Sequence, residues 1–165
     1  MEILIAFPVL IFAFIVQTTI IARFSLLNGM ADLVMLILIA WALQEGSKNA
    51  WMWAIIGGLV TGFASAVPWF IFPICYLGIV GITQRFKSKI WQSPILAMMI
   101  ITAIGTVLLL VTEFIALQIM GINLKLSESL TRTILPSMLL NLLFAFPIYV
   151  VIREINKLIY PVKNE

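Results

Sequence analysis

Four ionisable side chains lie within or beside long apolar segments, where a charge is costly and is a functional candidate by default. They are Arg23, Asp32, Glu113 and Arg132. If the apolar segments cross a membrane as six helices, all four fall in one layer near the outer face, as a polar rim that would bind a partner or a ligand. The alternative is that they are solvated at the membrane surface or form structural ion pairs, which costs far less than a charge at the midplane. We favour this second interpretation.

Catalytic and metal-binding chemistry is largely excluded by residue counts. The chain has no histidine and a single cysteine, Cys75. This excludes a His/Cys metal site, a Ser-His or Cys-His catalytic pair and a disulfide within the chain. Asp32 is the only aspartate, so the paired aspartates of an intramembrane protease are also missing. We therefore expect no catalytic residues, no cofactor and no metal.

Two amides, Gln17 and Asn141, lie deeper in apolar segments. Amides in such positions usually hydrogen-bond between helices, at about 1 kcal/mol or less each, and we expect that role rather than ligand binding. Near the last apolar segment, Glu128 and Arg132 are four residues apart, in the order that favours a helical ion pair. With Ser127 as the N-cap, this pair is expected to stabilise the start of the last helix.

Small residues recur every four positions in one segment, at Ala54, Gly58, Gly62 and Ala66. Such spacing lets another helix approach closely, so that dispersion and Cα–H contacts replace the hydrophobic effect that lipid removes. The pattern predicts a close helix-packing face. The facing helix could belong to this chain, to a second copy of it or to another protein, and we favour an intramolecular contact.

A short loop carries three basic residues, Arg85, Lys87 and Lys89, together with Phe86 and Trp91. Nucleic-acid binding requires an extended basic surface, which three cations do not provide. Contact with anionic lipid headgroups, with Trp91 at the membrane interface, explains the composition better.

The elements that position these residues are long uncharged segments. Of the 165 residues, 63% are hydrophobic and only 10% are charged, and the mean hydropathy is +1.17. A soluble domain has about a quarter of its residues charged, so an ordinary cytosolic domain is excluded. About 20 apolar residues cross the hydrocarbon core, and we expect one all-α integral membrane domain over residues 1–165. The predicted spans are residues 3–22, 31–44, 50–66, 68–84, 94–119 and 133–152.

The number of spans depends on the second segment. Its uncharged part, residues 33–44, has 12 residues, which is about 18 Å of helix. A run this short also suits an interfacial or re-entrant segment, which would leave five spans. Residues 33–43 are nevertheless apolar on every side, whereas a helix on the membrane surface shows a polar face. We therefore favour six spans, with Pro68 in the first turn of the fourth.

Basic residues indicate the orientation. Six spans place seven basic residues inside, namely Lys48, Arg85, Lys87, Lys89, Arg153, Lys157 and Lys163, and three outside, namely Arg23, Lys125 and Arg132. Five spans would move Arg23 to the inner side. The positive-inside rule assigns the carboxyl terminus to the cytoplasm in both cases, and six spans place the amino terminus there too. Beyond the last span, residues 153–158 are expected to extend the helix as an amphipathic segment.

The chain resembles the MreD family of rod-shape-determining proteins, which are small integral membrane proteins of the bacterial cell-elongation machinery. The resemblance runs through roughly residues 14–85 and extends to length, number of spans and basic inner side. The residues that carry it are Gln17-Thr18-Thr19, Asp32-Leu33-Val34, Ala40-Trp41-Ala42-Leu43, Glu45-Gly46, Ala50, Trp53, Gly57-Gly58-Leu59, Ser65 and Pro68. Ala31 stands where the family usually has proline. Thr61-Gly62 stands where it tends to carry an acid, so no role of that acid is transferred.

The resemblance implies a six-helix fold similar to the substrate-binding S-components of energy-coupling-factor transporters. It implies a non-enzymatic scaffold in the bacterial cytoplasmic membrane that binds an MreC-type protein and helps to position peptidoglycan synthesis. The actin-like MreB and cell-wall synthases would complete the complex.

The alternative function is a small-molecule-binding subunit of the S-component type. We disfavour it because the hairpin of the third and fourth spans offers only Thr61 and Ser65 to a pocket. The Ala-xxx-Ala docking pattern of the first helix in such subunits is also missing here. A channel or exporter would need a charge relay at the midplane, which the sequence lacks.

Overall fold

The computed structural model describes residues 2–24, 26–45, 47, 49–87 and 93–160. This part of the chain is mostly helical and has no β-strand, apart from an isolated bridge between Leu26 and Gly29. The predicted all-α fold class is confirmed.

The described chain contains six helices, and each overlaps one predicted segment. They are α1 (Glu2–Thr19), α2 (Leu33–Leu43), α3 (Ala50–Ala64), α4 (Ile71–Lys87), α5 (Pro94–Ile119) and α6 (Leu126–Ile159). A 3-10 turn at Ile21–Phe24 follows α1, so the first helix ends earlier than predicted. A π-helical segment at Leu130–Ile134 interrupts α6 near its start.

Helix α2 is the centre of the bundle. Ten of its 11 residues are buried, because α1, α3, α4, α5 and α6 all pack against it. Trp41 of α2 stacks on Trp53 of α3 with ring centroids 4.2 Å apart, and such aromatic pairs stabilise a core beyond their buried area. The apolarity of α2 on every side therefore reflects contact with other helices. At about 1.5 Å per residue the helix is roughly 16 Å long. It covers Leu33–Leu43, whereas the predicted span was residues 31–44.

The five outer helices surround α2 in the order α1, α3, α4, α5 and α6, and each packs against the next. Between α6 and α1 the ring stays open as an apolar groove.

The α3–α4 hairpin is the closest helix pair. A Cβ atom added to Gly58 would lie 2.4 Å from Pro73 Cα, and one added to Gly62 would lie 2.3 Å from the Trp69 carbonyl oxygen. The prediction that Pro68 lies in the first turn of α4 is wrong. Pro68 lies in the turn between the helices, where its carbonyl accepts a hydrogen bond from Ile71 N–H at 3.1 Å, and α4 begins only at Ile71.

The start of α6 also differs from the prediction. The helix begins at Leu126, so Ser127 is inside it rather than at the N-cap. No ion pair joins Glu128 to Arg132 within the described chain. The π-helical segment Leu130–Ile134 is the reason, because its wider turn removes the stacking of residues four apart.

The other end of α6 continues to Ile159, so the predicted extension beyond residue 152 is helical. Glu154 forms ion pairs there with Arg153 at 3.2 Å and Lys157 at 2.9 Å. The hydrogen bond from Lys157 lowers the pKa of the Glu154 carboxyl.

Helices α5 and α6 are long and apolar enough to cross a membrane. Their outer faces expose apolar side chains, among them Ile104, Val107, Val111 and Ile115 on α5 and Leu139, Leu143 and Phe146 on α6. Contiguous apolar surface of this kind is unusual on a soluble monomer. Both helices are consistent with a membrane protein.

Candidate functional site

Asp32 is held at the amino-terminal end of α2 by three hydrogen bonds. Its Oδ1 accepts from Met35 N–H at 2.9 Å and caps the helix. Its Oδ2 accepts from the Tyr76 hydroxyl of α4 at 2.7 Å, and its own backbone N–H donates to Asn141 Oδ1 of α6 at 2.7 Å. The one aspartate of the chain therefore joins three helices.

Asn141 extends this network to α5. Its Nδ2 donates to the Thr106 hydroxyl at 2.9 Å, and that hydroxyl donates to the Thr102 carbonyl at 2.7 Å. Gln17 of α1 accepts from Val34 N–H of α2 at 3.3 Å. Both predicted amides thus hydrogen-bond between helices.

The loop before α2 is pressed against α6. Ser137 Oγ accepts from Met30 N–H at 3.0 Å, and a Cβ on Gly29 would lie 2.6 Å from both Pro136 Cβ and Ser137 N. Asn28 N–H donates to the Arg132 carbonyl at 3.0 Å. Backbone groups outside the helices are in this way paired with protein atoms, as a low-dielectric surrounding requires.

A cavity of about 380 Å³ lies beside this network. Asp32 and Glu113 line it together with the hydroxyl residues Thr61, Ser65 and Ser137. Carboxylate, amide and hydroxyl groups from α1, α2, α3, α5 and α6 therefore converge on one space.

A second cavity of about 250 Å³ lies on the other side of Glu113 and is lined also by Lys125, Glu128 and Arg132. Arg23 lines neither cavity and is exposed in the 3-10 turn after α1. Of the four predicted rim residues, Glu113 lies between Asp32 and Arg132.

Several residues of this network were not singled out from the sequence. They are Tyr76, Thr106 and Ser137, which lie in apolar helices. Hydroxyl residues also occur at outward-facing positions of such helices, so their type alone did not indicate a buried contact. The spacing of Thr102 and Thr106, one helical turn apart, was the available signal. It does not reveal which amide or carboxylate such hydroxyls meet.

The opposite end of α4 carries the predicted basic cluster. Lys87 Nζ donates to the Gln44 backbone carbonyl at the end of α2, and partial burial lowers the pKa of the Lys87 ammonium. Lys87 is thus directed towards the protein, whereas we expected it at lipid headgroups. Arg85 is exposed at the end of α4. Lys89, Lys48 and Trp91 lie outside the described residues.

Three of the four predicted small residues are buried in α3. These are Ala54, Gly58 and Gly62. Gly58 faces α4 at Pro73, and Gly62 faces the Trp69 carbonyl in the turn before α4. Ala66 differs, because α3 ends at Ala64 and Ala66 is exposed in the turn. The facing helix belongs to the same chain.

The groove between α1 and α6 is almost wholly apolar and has a volume of about 610 Å³. Val9 and Phe12 of α1 form one wall, Ile148 and Val151 of α6 form the other, and Ile37 of α2 lies at the floor. Ile37 is the one residue of α2 that is not fully buried.

Within the described residues, no group of three or more His, Cys, Asp or Glu side chains could hold a metal ion. In the comparisons with known proteins, no family model, no curated protein and no solved structure matches this chain.

Proposed function

We propose that this protein is a non-enzymatic scaffold of the bacterial cytoplasmic membrane that holds the transmembrane helix of another protein in the groove between α1 and α6. The resemblance to the MreD family suggests that this protein is MreC-type and that the complex serves cell elongation. In this proposal all six helices lie within the bilayer and both termini are cytoplasmic.

The groove is the observation that carries the proposal. Helices of equal width pack about six around one at axis separations of 8–10 Å, and α2 has five outer neighbours. The groove lies at the sixth position, where the side chain of Ile37 remains partly exposed. Because lipid tails fill such a shaped surface less well than a helix does, a transmembrane helix is the occupant we expect.

The two ends of the bundle support the proposed orientation. Four basic residues lie at the end of the bundle where α2 and α4 terminate, namely Arg85, Lys87, Arg153 and Lys157. Lys87 of α4 contacts Gln44 at the end of α2. Tyr149 of α6 lies beside Gln44 and Glu45, so the last turns of α6 are at the same end. Gln17 near the end of α1 contacts Val34 at the start of α2, which supports a starting end of α1 on the side where α2 ends. The positive-inside rule then favours this end as cytoplasmic.

The orientation is tested with a reporter fused before residue 1 and with single cysteines in a Cys75→Ala background. We expect the reporter and a cysteine at Lys157 to be protected from a membrane-impermeant label in intact cells. A cysteine at Lys125 should be labelled. An external reporter with Lys157 internal would contradict six spans and favour five.

The groove is tested by cross-linking in native membranes with a thiol-directed benzophenone. Cysteines replace Phe12 and Val151 on the two walls, and matched cysteines replace the exposed Val107 and Ile115 on the outer face of α5. We expect one discrete adduct with a single-span MreC-type protein from the wall positions and at least tenfold less from α5. Equal adducts from both faces, an adduct with a second copy of this chain, or no protein adduct would contradict the proposal.

A further inference from the structure

We propose that the turn between α3 and α4 is a lipid-binding surface, whose aromatic cluster of Phe63, Trp69 and Phe70 lies in the headgroup layer of the outer leaflet and around which the bilayer is thinned. The inference rests on the membrane arrangement of the proposed function. It concerns a different surface from the groove between α1 and α6, and its occupant is lipid rather than a second protein.

The aromatic cluster is held together by ring contacts and leaves its outer surface uncovered. Phe63 stacks on Trp69 with ring centroids 5.9 Å apart, and Phe70 meets Trp69 edge-on at 6.1 Å. Phe63 is 74% exposed, Trp69 53% and Phe70 48%. Tryptophan is enriched at membrane–water interfaces, where its ring contacts apolar groups and its N–H reaches water or headgroups. The composition and exposure of the cluster fit such an interface.

The uncovered surface continues from the turn along α4. Phe70, Ile74 and Leu77 are exposed at intervals of four and three residues, so they share one face of the helix. Residues 49–84 carry no charge. A surface that docks a protein domain has a polar rim around its apolar centre, whereas a surface covered by lipid needs none. The cluster and this face of α4 therefore have the character of a lipid contact.

The α3–α4 hairpin is too short to cross an undistorted bilayer. Helix α3 has 15 residues, and 14 residues separate Ile71 from Arg85 in α4, so each rises about 21–22 Å. The hydrocarbon core is about 30 Å thick. With Arg85 at the cytoplasmic headgroups, the turn ends several ångströms below the outer boundary of that core. A segment that is too short is accommodated by thinning of the bilayer around it.

The partly paired backbone of the turn limits how deep it can lie. Ser65 N–H donates to the Gly62 carbonyl at 3.3 Å, Val67 N–H to Ser65 Oγ at 3.3 Å and Ile71 N–H to the Pro68 carbonyl at 3.1 Å. Any remaining N–H group of the turn needs water, which the headgroup layer supplies and the hydrocarbon core does not. Thinning brings the headgroup layer to the turn and meets this need.

The depth of the turn is measured by electron paramagnetic resonance on the purified full chain in phosphatidylcholine bilayers. A nitroxide is attached to single cysteines in a Cys75→Ala background. Ala66→Cys labels an exposed position of the turn and keeps the aromatic cluster, while Val107→Cys and Lys125→Cys are the matched controls for hydrocarbon and for water. We expect the Ala66 label to collide with a water-soluble nickel complex at least about threefold less often than the Lys125 label, and more often with oxygen, which concentrates in the apolar layer.

The controls separate the failure of this proposal from that of the scaffold. Equal nickel accessibility of the Ala66 and Lys125 labels would place the turn in water and overturn the proposal. An Ala66 label shielded from both nickel and oxygen would also overturn it, because protein would then cover the turn. With the Val107 label in hydrocarbon, both outcomes leave the scaffold standing. A Val107 label that the nickel complex reaches would contradict the membrane arrangement on which both proposals rest.

Bilayer thickness supplies the second test. The chain is reconstituted in phosphatidylcholines with monounsaturated chains of about 14 to about 22 carbons, and its melting temperature is measured in each. We expect the highest melting temperature at the short end of this series, because less distortion is then needed around α3 and α4. Helix α5 has 26 residues and by itself would favour the long end, so a maximum there, or no dependence on chain length, would overturn the proposed thinning.

Discussion

Replacing Gly58 with leucine is expected to prevent the chain from folding. Even the first carbon of the new side chain would lie 2.4 Å from Pro73 Cα and 2.6 Å from Pro73 N. Overpacking a core costs about 1–3 kcal/mol when side chains can move aside. Here the obstacle is backbone of α4, so the cost should exceed that range and take most of a stability of about 5–15 kcal/mol.

The test compares Gly58→Leu with Gly78→Leu and Gly81→Leu on α4, where an added Cβ has no atom within 4 Å. We expect the Gly58 variant to be lost from the folded fraction in size-exclusion chromatography and thermal melting, and both control variants to remain folded. A folded Gly58→Leu protein that fails to hold its partner would show that this face contacts another chain. An unchanged melting temperature together with unchanged partner binding would show that it faces lipid.

Replacing Asp32 with alanine is expected to lower the free energy of unfolding by about 2–4 kcal/mol. The alanine removes the helix cap on Met35 N–H, a loss of about 0.5–2 kcal/mol. It also leaves the fully buried Tyr76 hydroxyl without its acceptor, which costs about 1–3 kcal/mol. Both losses fall on the central helix, so they affect the whole bundle rather than one edge.

Asp32→Asn is the matched comparison, because asparagine caps helices as well as aspartate does and its amide still reaches the Tyr76 hydroxyl. We expect it to cost less than about 1 kcal/mol in denaturant unfolding in mixed micelles. A double-mutant cycle of Asp32→Ala with Tyr76→Phe should reveal a coupling of about 1 kcal/mol or more. A cycle without coupling would contradict the hydrogen bond, and an Asp32→Asn protein that folds and binds its partner but has lost function would indicate a chemical role.

Much of the helix order could be predicted because charges interrupt the apolar segments at intervals that suit helices. The ends of α5, from Pro94 to Ile119, coincide with the predicted span, and its start was predictable because proline opens a helix well. The start of α6 was predicted less well. The tendency of Ser127 to cap a helix and the spacing of Glu128 and Arg132 are local signals, and they do not reveal the π-helical segment Leu130–Ile134 that forms there.

The candidate site was only partly predictable. Asp32, Glu113, Gln17 and Asn141 stand out in the sequence because polar groups are rare among apolar residues. Their partners do not, because Thr61, Tyr76 and Thr106 are of types that lipid-facing and protein-facing positions both tolerate. The rotation of five helices relative to one another decides which hydroxyl contacts which carboxylate. These helices have no polar face in the sequence, so the sequence does not indicate how each helix is rotated.

The sequence by itself determined that the chain is all-helical, which segments form the helices, and that the third of them can be approached closely at Gly58 and Gly62. Only the tertiary structure decided that α2 is enclosed by its neighbours, that α3 and α4 are the closest pair, and that α1 and α6 leave a groove. The physical reason is that a helix apolar on all sides has no preferred face. Protein and hydrocarbon are then nearly equivalent surroundings for it, and the choice between them falls to shape and to the few hydrogen bonds of Asp32 and Asn141.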